Sequence, residues 1–260
     1  MTVTVSFMSA NYVAREVGWQ MHGWGHGDAA TNDAFRPLET YGERLAGLLD
    51  DVRSLGFGAI DVWGAHLSPE WAADDHVDAA VTALAARGLR AASYQVYAPA
   101  KHLERACAIA ERLGTRVLSG FVPVEDERLP SLLERHGLVL ALENHPEPTP
   151  QVMLDKVAER PRLGVCVDTG WFGTQGYDAP RAIEELGDRV LHVHLKDVLH
   201  EGEPHETCRW GDGIVDVEGC VRALQRIGYA GAISVEHEPE TYDPSDDVRA
   251  MREQLEEWLS

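Results

Sequence analysis

The sequence predicts a single α/β domain over residues 1–260, folded as a (β/α)8 TIM barrel. Three observations carry this. Eight short apolar runs recur along the chain, most of them roughly 22 to 32 residues apart, which is the length of a strand, a helix and two loops. Stretches of helical periodicity fill the gaps. The 260 residues match the roughly 250 that such a barrel takes. An open doubly wound sheet usually carries a Gly-rich phosphate loop after its first strand, and no G-x-G-x-x-G or Walker pattern is present.

The first run is Thr2 to Phe7, the second Ala59 to Trp63, the third Arg90 to Tyr94 and the fourth Arg116 to Ser119. Leu138 to Leu142, Leu163 to Val167, Val190 to Val193 and Ala232 to Val235 follow. The last four read as strands buried on both faces, being short, apolar and rich in Leu or β-branched residues. Between the runs, Tyr41 to Leu55 places Leu45, Leu48, Leu49, Val52 and Leu55 at helical spacing. His76 to Arg87 does the same with Val77, Ala80, Val81 and Leu84. Leu103 to Leu113 ends at Gly114, Arg181 to Leu186 at Gly187 and Val217 to Ile227 at Gly228, each glycine suited to a left-handed helix end. Pro130 and Pro150 fit helix starts. Asp246 to Leu259 reads as a closing helix with Val248, Met251, Leu255 and Trp258 or Leu259 inward. Two connections are long, Met8 to Phe35 and Val198 to Asp216, and long loops in compact domains tend to be functional.

Composition narrows the class. With 44% hydrophobic and 25% charged residues the chain is of ordinary globular type. No run approaches the roughly 18 apolar residues of a membrane span. The start, Met1 to Phe7, lacks the basic and apolar parts of a signal peptide. The formal charge of −20 opposes nucleic-acid binding, which relies on Lys and Arg. Cys107, Cys166, Cys208 and Cys220 form no metal-type pairs, so a reduced, cytoplasmic protein is expected. Assembly into a homo-oligomer is left open.

The chemistry lies at the ends of the last four runs, which close on Glu143, Asp168, His194 and Glu236. Neighbouring parallel strands would deliver all four to one point at the barrel mouth, where such enzymes place their sites. Three carboxylates there repel one another and raise their own pKa values, a cost that a divalent cation removes. Three oxygens and one nitrogen favour Mn²⁺, Mg²⁺ or Co²⁺, Mn²⁺ first, over a Cys-rich zinc site. Further candidates for contact with substrate are His145, Lys196, Arg209, His66, Trp63 and Trp171. Lys196 and Arg209 are cations near an acidic site, and equally salt-bridge partners for Asp197 and Asp212. Trp19, Trp24, Trp63, Trp171 and Trp210 fall on rim loops or strand ends, where an indole face suits a sugar or simply anchors a loop.

Leu142-Glu143-Asn144-His145-Pro146, Cys166-Val167-Asp168-Thr169-Gly170, His192-Val193-His194-Leu195-Lys196-Asp197 and Val235-Glu236-His237-Glu238 are an ordered set. Together they resemble the sugar phosphate isomerase/epimerase superfamily, the xylose-isomerase-like (AP-endonuclease-2-type) barrels. That group includes ketose 3-epimerases, inosose dehydratase and endonuclease-IV-type proteins. The resemblance implies that Glu143, Asp168, His194 and Glu236 bind the metal, with Glu143 and Glu236 doubling as an acid/base pair. The family often has His three residues after the sixth-strand Asp; here that residue is Trp171. This departs from the ketose epimerases and removes a ligand that the endonuclease branch needs. The expected activity is isomerisation or epimerisation of a sugar or keto-sugar, by proton abstraction beside a polarised carbonyl. A lyase on the same scaffold, of inosose-dehydratase or keto-glycoside-cleaving type, is the alternative, and a non-catalytic sugar-binding protein a third. The expected partner is a small sugar, polyol or keto-glycoside.

Overall fold

A computed structural model describes residues 3–260. Eight parallel strands close a barrel: β1 (Thr4–Met8), β2 (Ala59–Trp63), β3 (Arg90–Tyr97), β4 (Val117–Phe121), β5 (Val139–Glu143), β6 (Leu163–Asp168), β7 (Val190–Leu195) and β10 (Ala232–Val235). β10 returns to pair with β1, Ser6 lying opposite Ser234. Two short strands, β8 (Asp197–Val198) and β9 (Thr207–Cys208), form a separate antiparallel hairpin in the long connection after β7. Thr2, expected in the first strand, lies outside the described residues.

The helices are α1 (Trp24–Phe35), α2 (Leu38–Ser54), α3 (Asp74–Ala86), α4 (Leu103–Leu113), α5 (Leu129–Arg135), α6 (Pro150–Val157), α7 (Thr169–Thr174), α8 (Ala179–Leu186), α9 (Val217–Arg226) and α10 (Ser245–Leu259). Those with strong apolar periodicity stand where the sequence puts them. Two were unexpected. α1 runs through Gly25 and Gly27, poor helix formers, and buries only Gly27, Thr31 and Phe35, one residue per turn. A Cβ on Gly27 would stand 2.5 Å from the Val13 carbonyl oxygen, so close packing onto the β1 loop holds this helix. α7 starts directly at the end of β6, where Asp168 caps it by accepting the Trp171 backbone N–H at 3.0 Å.

Side chains alternate along each strand. One set, including Ile60, Val62, Tyr94, Leu118, Leu140, Val165, Val193 and Ile233, joins the helices in one continuous apolar core. The other set fills the barrel and is largely polar. Ser6 bonds Ser234 at 2.5 Å, Ser119 bonds Ser93 at 3.1 Å, and Asp61 bonds His192 at 2.5 Å. Such barrels usually fill their centre with Val, Ile and Leu layers. A polar interior that pairs within itself instead builds a rigid floor beneath the mouth.

Candidate metal centre at the barrel mouth

Glu143 and Asp168 are the last residues of β5 and β6, His194 is the penultimate residue of β7, and Glu236 follows β10 directly. All four are buried. Two asparagines hold the strand ends beyond the ladder. The Asn144 side chain accepts from the Asp168 N–H at 2.8 Å and donates to its carbonyl at 2.9 Å. Asn11, from the loop after β1, donates to the Val235 carbonyl at 3.0 Å and accepts from the His237 N–H at 2.8 Å, bracketing Glu236.

The four side chains converge: one ligand atom from each lies within 4.8 Å of all the others. His194 Nδ1 stands 2.7 Å from Glu143 Oε1 and 3.2 Å from Glu236 Oε2, so the two glutamates flank one ring nitrogen. Asp168 Oδ2 and Glu236 Oε2 are buried acceptors without a hydrogen bond of good geometry. This set of buried carboxylate oxygens and one inward imidazole nitrogen fits a hard or borderline dication. Cys166 lies beside Glu143 and His194, but burial pushes its thiol up to about 12, so it is no thiolate ligand at neutral pH.

Three residues complete the site that the strand-end pattern did not single out. Gln95, on β3, donates to Glu143 Oε2 at 2.8 Å. Glu238 is buried against Lys196. Asp61, in the middle of β2, lies below His194 with its Oδ2 3.6 Å from Nε2, and it also accepts from Ser234. Burial alone would raise the Asp61 carboxyl, but the His192 and His194 rings beside it hold it well below the usual range. At 3.6 Å the approach to His194 is a charge contact rather than a hydrogen bond; the direct hydrogen bond of Asp61 is to His192.

Lys196 is almost fully buried, its Nζ 3.0 Å from Asp168 Oδ2, 3.2 Å from Glu236 Oε1 and 3.0 Å from Glu238 Oε2. Burial would lower its pKa, yet Asp168, Glu236 and Glu238 together keep it well above normal. Burial raises Asp168 and Glu238 in turn. The ammonium is therefore a fixed internal counter-charge.

The remaining candidates separate. His145 stands exposed beyond Glu143, its ring 3.7 Å from that of Trp171. His205 stacks on the opposite face of Trp171 at 4.0 Å. Both indole faces are thus occupied, and Trp171 offers no stacking face to a sugar. Trp63 packs edge-on against Trp24 and His66. His66 is not at the mouth: its Nδ1 meets Ser9 Oγ at 3.1 Å, and its ring borders a small void with Leu45, Leu48, Ile60 and Val62 behind the barrel wall. Arg209 also turns away. Its guanidinium is half-exposed, 3.9 Å from Asp247, in an outer cleft of about 570 Å³ against α10. Trp210 stacks on Trp258 there, and Trp19 packs edge-on against Tyr12.

The hairpin that carries His205 is tightly tied. The buried Asp197 carboxylate accepts from the backbone N–H groups of Val198, Gly211, Gly213 and Val215 at 2.9 to 3.1 Å. Thr207 Oγ1 accepts from the Glu238 N–H at 3.0 Å, linking the hairpin to the end of β10.

Known proteins with similar sequence or fold include both isomerases and dehydratases. Over 79 residues the chain is 34% identical to mannonate dehydratase from Oceanobacillus iheyensis, a match covering 28% of this chain and 22% of that protein. The chain spans 39% or less of the length of the curated relatives it matches. The solved structure of an L-ribulose 3-epimerase superposes with a TM-score of 0.69 at 18% identity, covering 100% of this chain and 95% of that one. The probable 3-DHS dehydratase involved in petrobactin synthesis from Bacillus anthracis gives 0.69 at 14% identity, covering 98% and 99%. With residues 49–259 matching the model of the family described as xylose isomerase-like TIM barrel, the chain belongs to that family.

Proposed function

We propose that this protein is a divalent-metal-dependent isomerase or epimerase of a sugar or keto-sugar. The convergence of Glu143, Asp168, His194 and Glu236 on one point carries the reading. These four residues would hold the ion, with Mn²⁺ favoured and Mg²⁺ or Co²⁺ acceptable to the same donors. A bound dication supplies Lewis acidity, polarising a substrate carbonyl and so acidifying the adjacent C–H. Glu143 and Glu236 stand on two sides of His194, so one can remove that proton while the other returns it to a different face or atom. Gln95 holds Glu143 in place, and the Asp61 carboxylate puts a negative charge behind the His194 ring. Lys196 keeps Asp168 and Glu236 together.

A lyase on the same scaffold is the second reading. Lys196 places ammonium protons against Glu236, where a departing hydroxyl would need one, and the local match to a mannonate dehydratase supports it. The four free, buried cysteines support a reducing, cytoplasmic setting. No helix among the described residues is long and apolar enough to cross a membrane.

The test is proton exchange. Metal-loaded protein is incubated in D₂O with keto-sugars, inososes and keto-glycosides, and deuterium incorporation is followed by NMR. Glu143→Gln and Glu236→Gln should each lower exchange by about 10²-fold or more. Normal exchange in both variants excludes the acid/base roles. Product mass separates the two readings, since isomerisation conserves it and elimination does not.

A further inference from the structure

The relatives include an enzyme named for mannonate, a sugar acid, so the charge of the substrate is an open question that this site can answer. We propose, building on the carbon-acid reading above, that the site takes an uncharged polyhydroxy substrate and discriminates against sugar phosphates and sugar acids.

The inventory of cations is the first support. Six Lys or Arg residues lie on the loops at the C-terminal ends of the barrel strands. Arg15 is paired with Asp51 at 2.5 Å, Arg36 with Asp33 at 3.9 Å and Arg128 with Asp126 at 2.7 Å. Arg209 faces Asp247 in the outer cleft, and Lys196 is spent on three carboxylates. Of the six, Lys101 alone has no ion pair among the described residues; it stands exposed on the turn after β3. A phosphate or carboxylate brought to the mouth therefore meets no unpaired guanidinium and, of the ammoniums, only the exposed Lys101, although bidentate Arg is the usual device for such groups.

The second support is the balance of charge. Glu143, Asp168, Glu236 and Glu238 face one ammonium. A negative charge left beside a bound anion at about 4 Å weakens it by about 5-fold even at the dielectric of water.

The third support is what the mouth does offer. His145 and His205 flank Trp171, and the Trp171 backbone N–H is bound to Asp168, so both rings are anchored at the site. Burial lowers the His205 imidazole to about 2 and leaves it neutral. A neutral imidazole has one donor and one acceptor nitrogen, which suits hydroxyl groups. His205 Nδ1 is fixed by Thr174 Oγ1 at 2.7 Å, while its Nε2 is buried without a partner. A buried unpaired nitrogen of this kind is completed by a ligand hydroxyl.

The test pairs each neutral sugar with its charged counterpart: D-fructose with D-fructose 6-phosphate, D-ribulose with D-ribulose 5-phosphate, and a panel of inososes and aldoses with their phosphates and acids. Binding to Mg²⁺-loaded protein is read by saturation-transfer NMR, and exchange is read in D₂O. Neutral members binding at least about 5-fold more tightly than their charged partners is the expected result. Equal or tighter binding of the charged members overturns the proposal and leaves the carbon-acid reading standing. Neutral binding without exchange anywhere in the panel overturns that reading alone. Binding by no member overturns both. His205→Phe keeps the stack on Trp171 and removes the nitrogen. It should weaken the neutral ligand about 3- to 10-fold with Mg²⁺ affinity unchanged; an unaltered sugar affinity removes His205 from the proposal.

Discussion

Replacing Lys196 by Met is the sharpest perturbation of this site. Its ammonium lies within 3.0 to 3.2 Å of Asp168, Glu236 and Glu238 and is 3% exposed. Met keeps most of the volume and none of the charge. Removing one partner of a buried ionic network leaves the others uncompensated and costs about 3–5 kcal/mol. For a chain of this size each kcal/mol shifts Tm by roughly 2–4 °C, so the metal-free variant should melt roughly 6–20 °C below the parent. The deficit should depend on pH with a definite sign. The folded pKa of Lys196 is raised, so its contribution is present below about 10.4, the unfolded value, and is lost only above the folded one. Asp168 and Glu238 are raised by burial, which favours their protonated forms in the fold. Stability from those two groups is complete below the unfolded carboxylate range and falls as pH rises through their folded values. Without the ammonium they take up protons more readily, and the variant's deficit should therefore be larger at pH 8 than at pH 5. A dication should rescue the variant, because binding at a hundred times Kd adds about 2.7 kcal/mol. Circular dichroism melts of chelator-treated protein, with and without Mn²⁺, measure all three effects. A metal-free variant within about 2 °C of the parent would refute the view that Lys196 is the counter-charge of this cluster.

Three further outcomes follow from the same geometry. Asp61→Asn should weaken Mn²⁺ binding about 10- to 100-fold by calorimetry, because it removes the negative charge 3.6 Å behind His194 Nε2; unchanged affinity removes that role. His66 is buried, which lowers its imidazole to about 3, so its stabilising contribution is present above about 6.5 and lost as pH falls toward the folded value. His66→Asn, which retains a partner for Ser9, should abolish up to roughly 5 kcal/mol of the stability loss between those pH values, read from denaturant midpoints. Asp197→Ala removes the acceptor of four backbone N–H groups, and hydrogen exchange at Gly211, Gly213 and Val215 should accelerate about 10-fold or more; unaltered protection would show that the hairpin needs no such tie.

The side chains that converge at the mouth as the strand ends predict and those that lie elsewhere differ in one physical respect. Glu143, Asp168, His194 and Glu236 sit on or immediately after strands, where the twofold alternation and the parallel register leave one direction open to each side chain. Knowing where an apolar run stops is then enough to know where its last side chain points, and the quartet was legible. Gln95 obeys the same rule but escaped notice, because β3 continues to Tyr97, three residues beyond Tyr94. Its polar side chain looked like the end of the strand, whereas the amide is buried by its bond to Glu143. Asp61 was hidden for the opposite reason: it lies within an apolar run, and the partner that makes it useful, His192, is 131 residues away in sequence. Loop residues lack the alternation rule altogether. Arg209, His66 and Trp171 all follow strand ends, and composition favoured them as mouth residues. Yet Asp247 draws Arg209 outward, Ser9 holds His66 behind the wall, and two imidazoles cover Trp171. In each case a tertiary partner, rather than chain position, fixes the direction. That is why the convergence of strand-end side chains at a barrel mouth can be read from the sequence, while the directions of the side chains around them cannot.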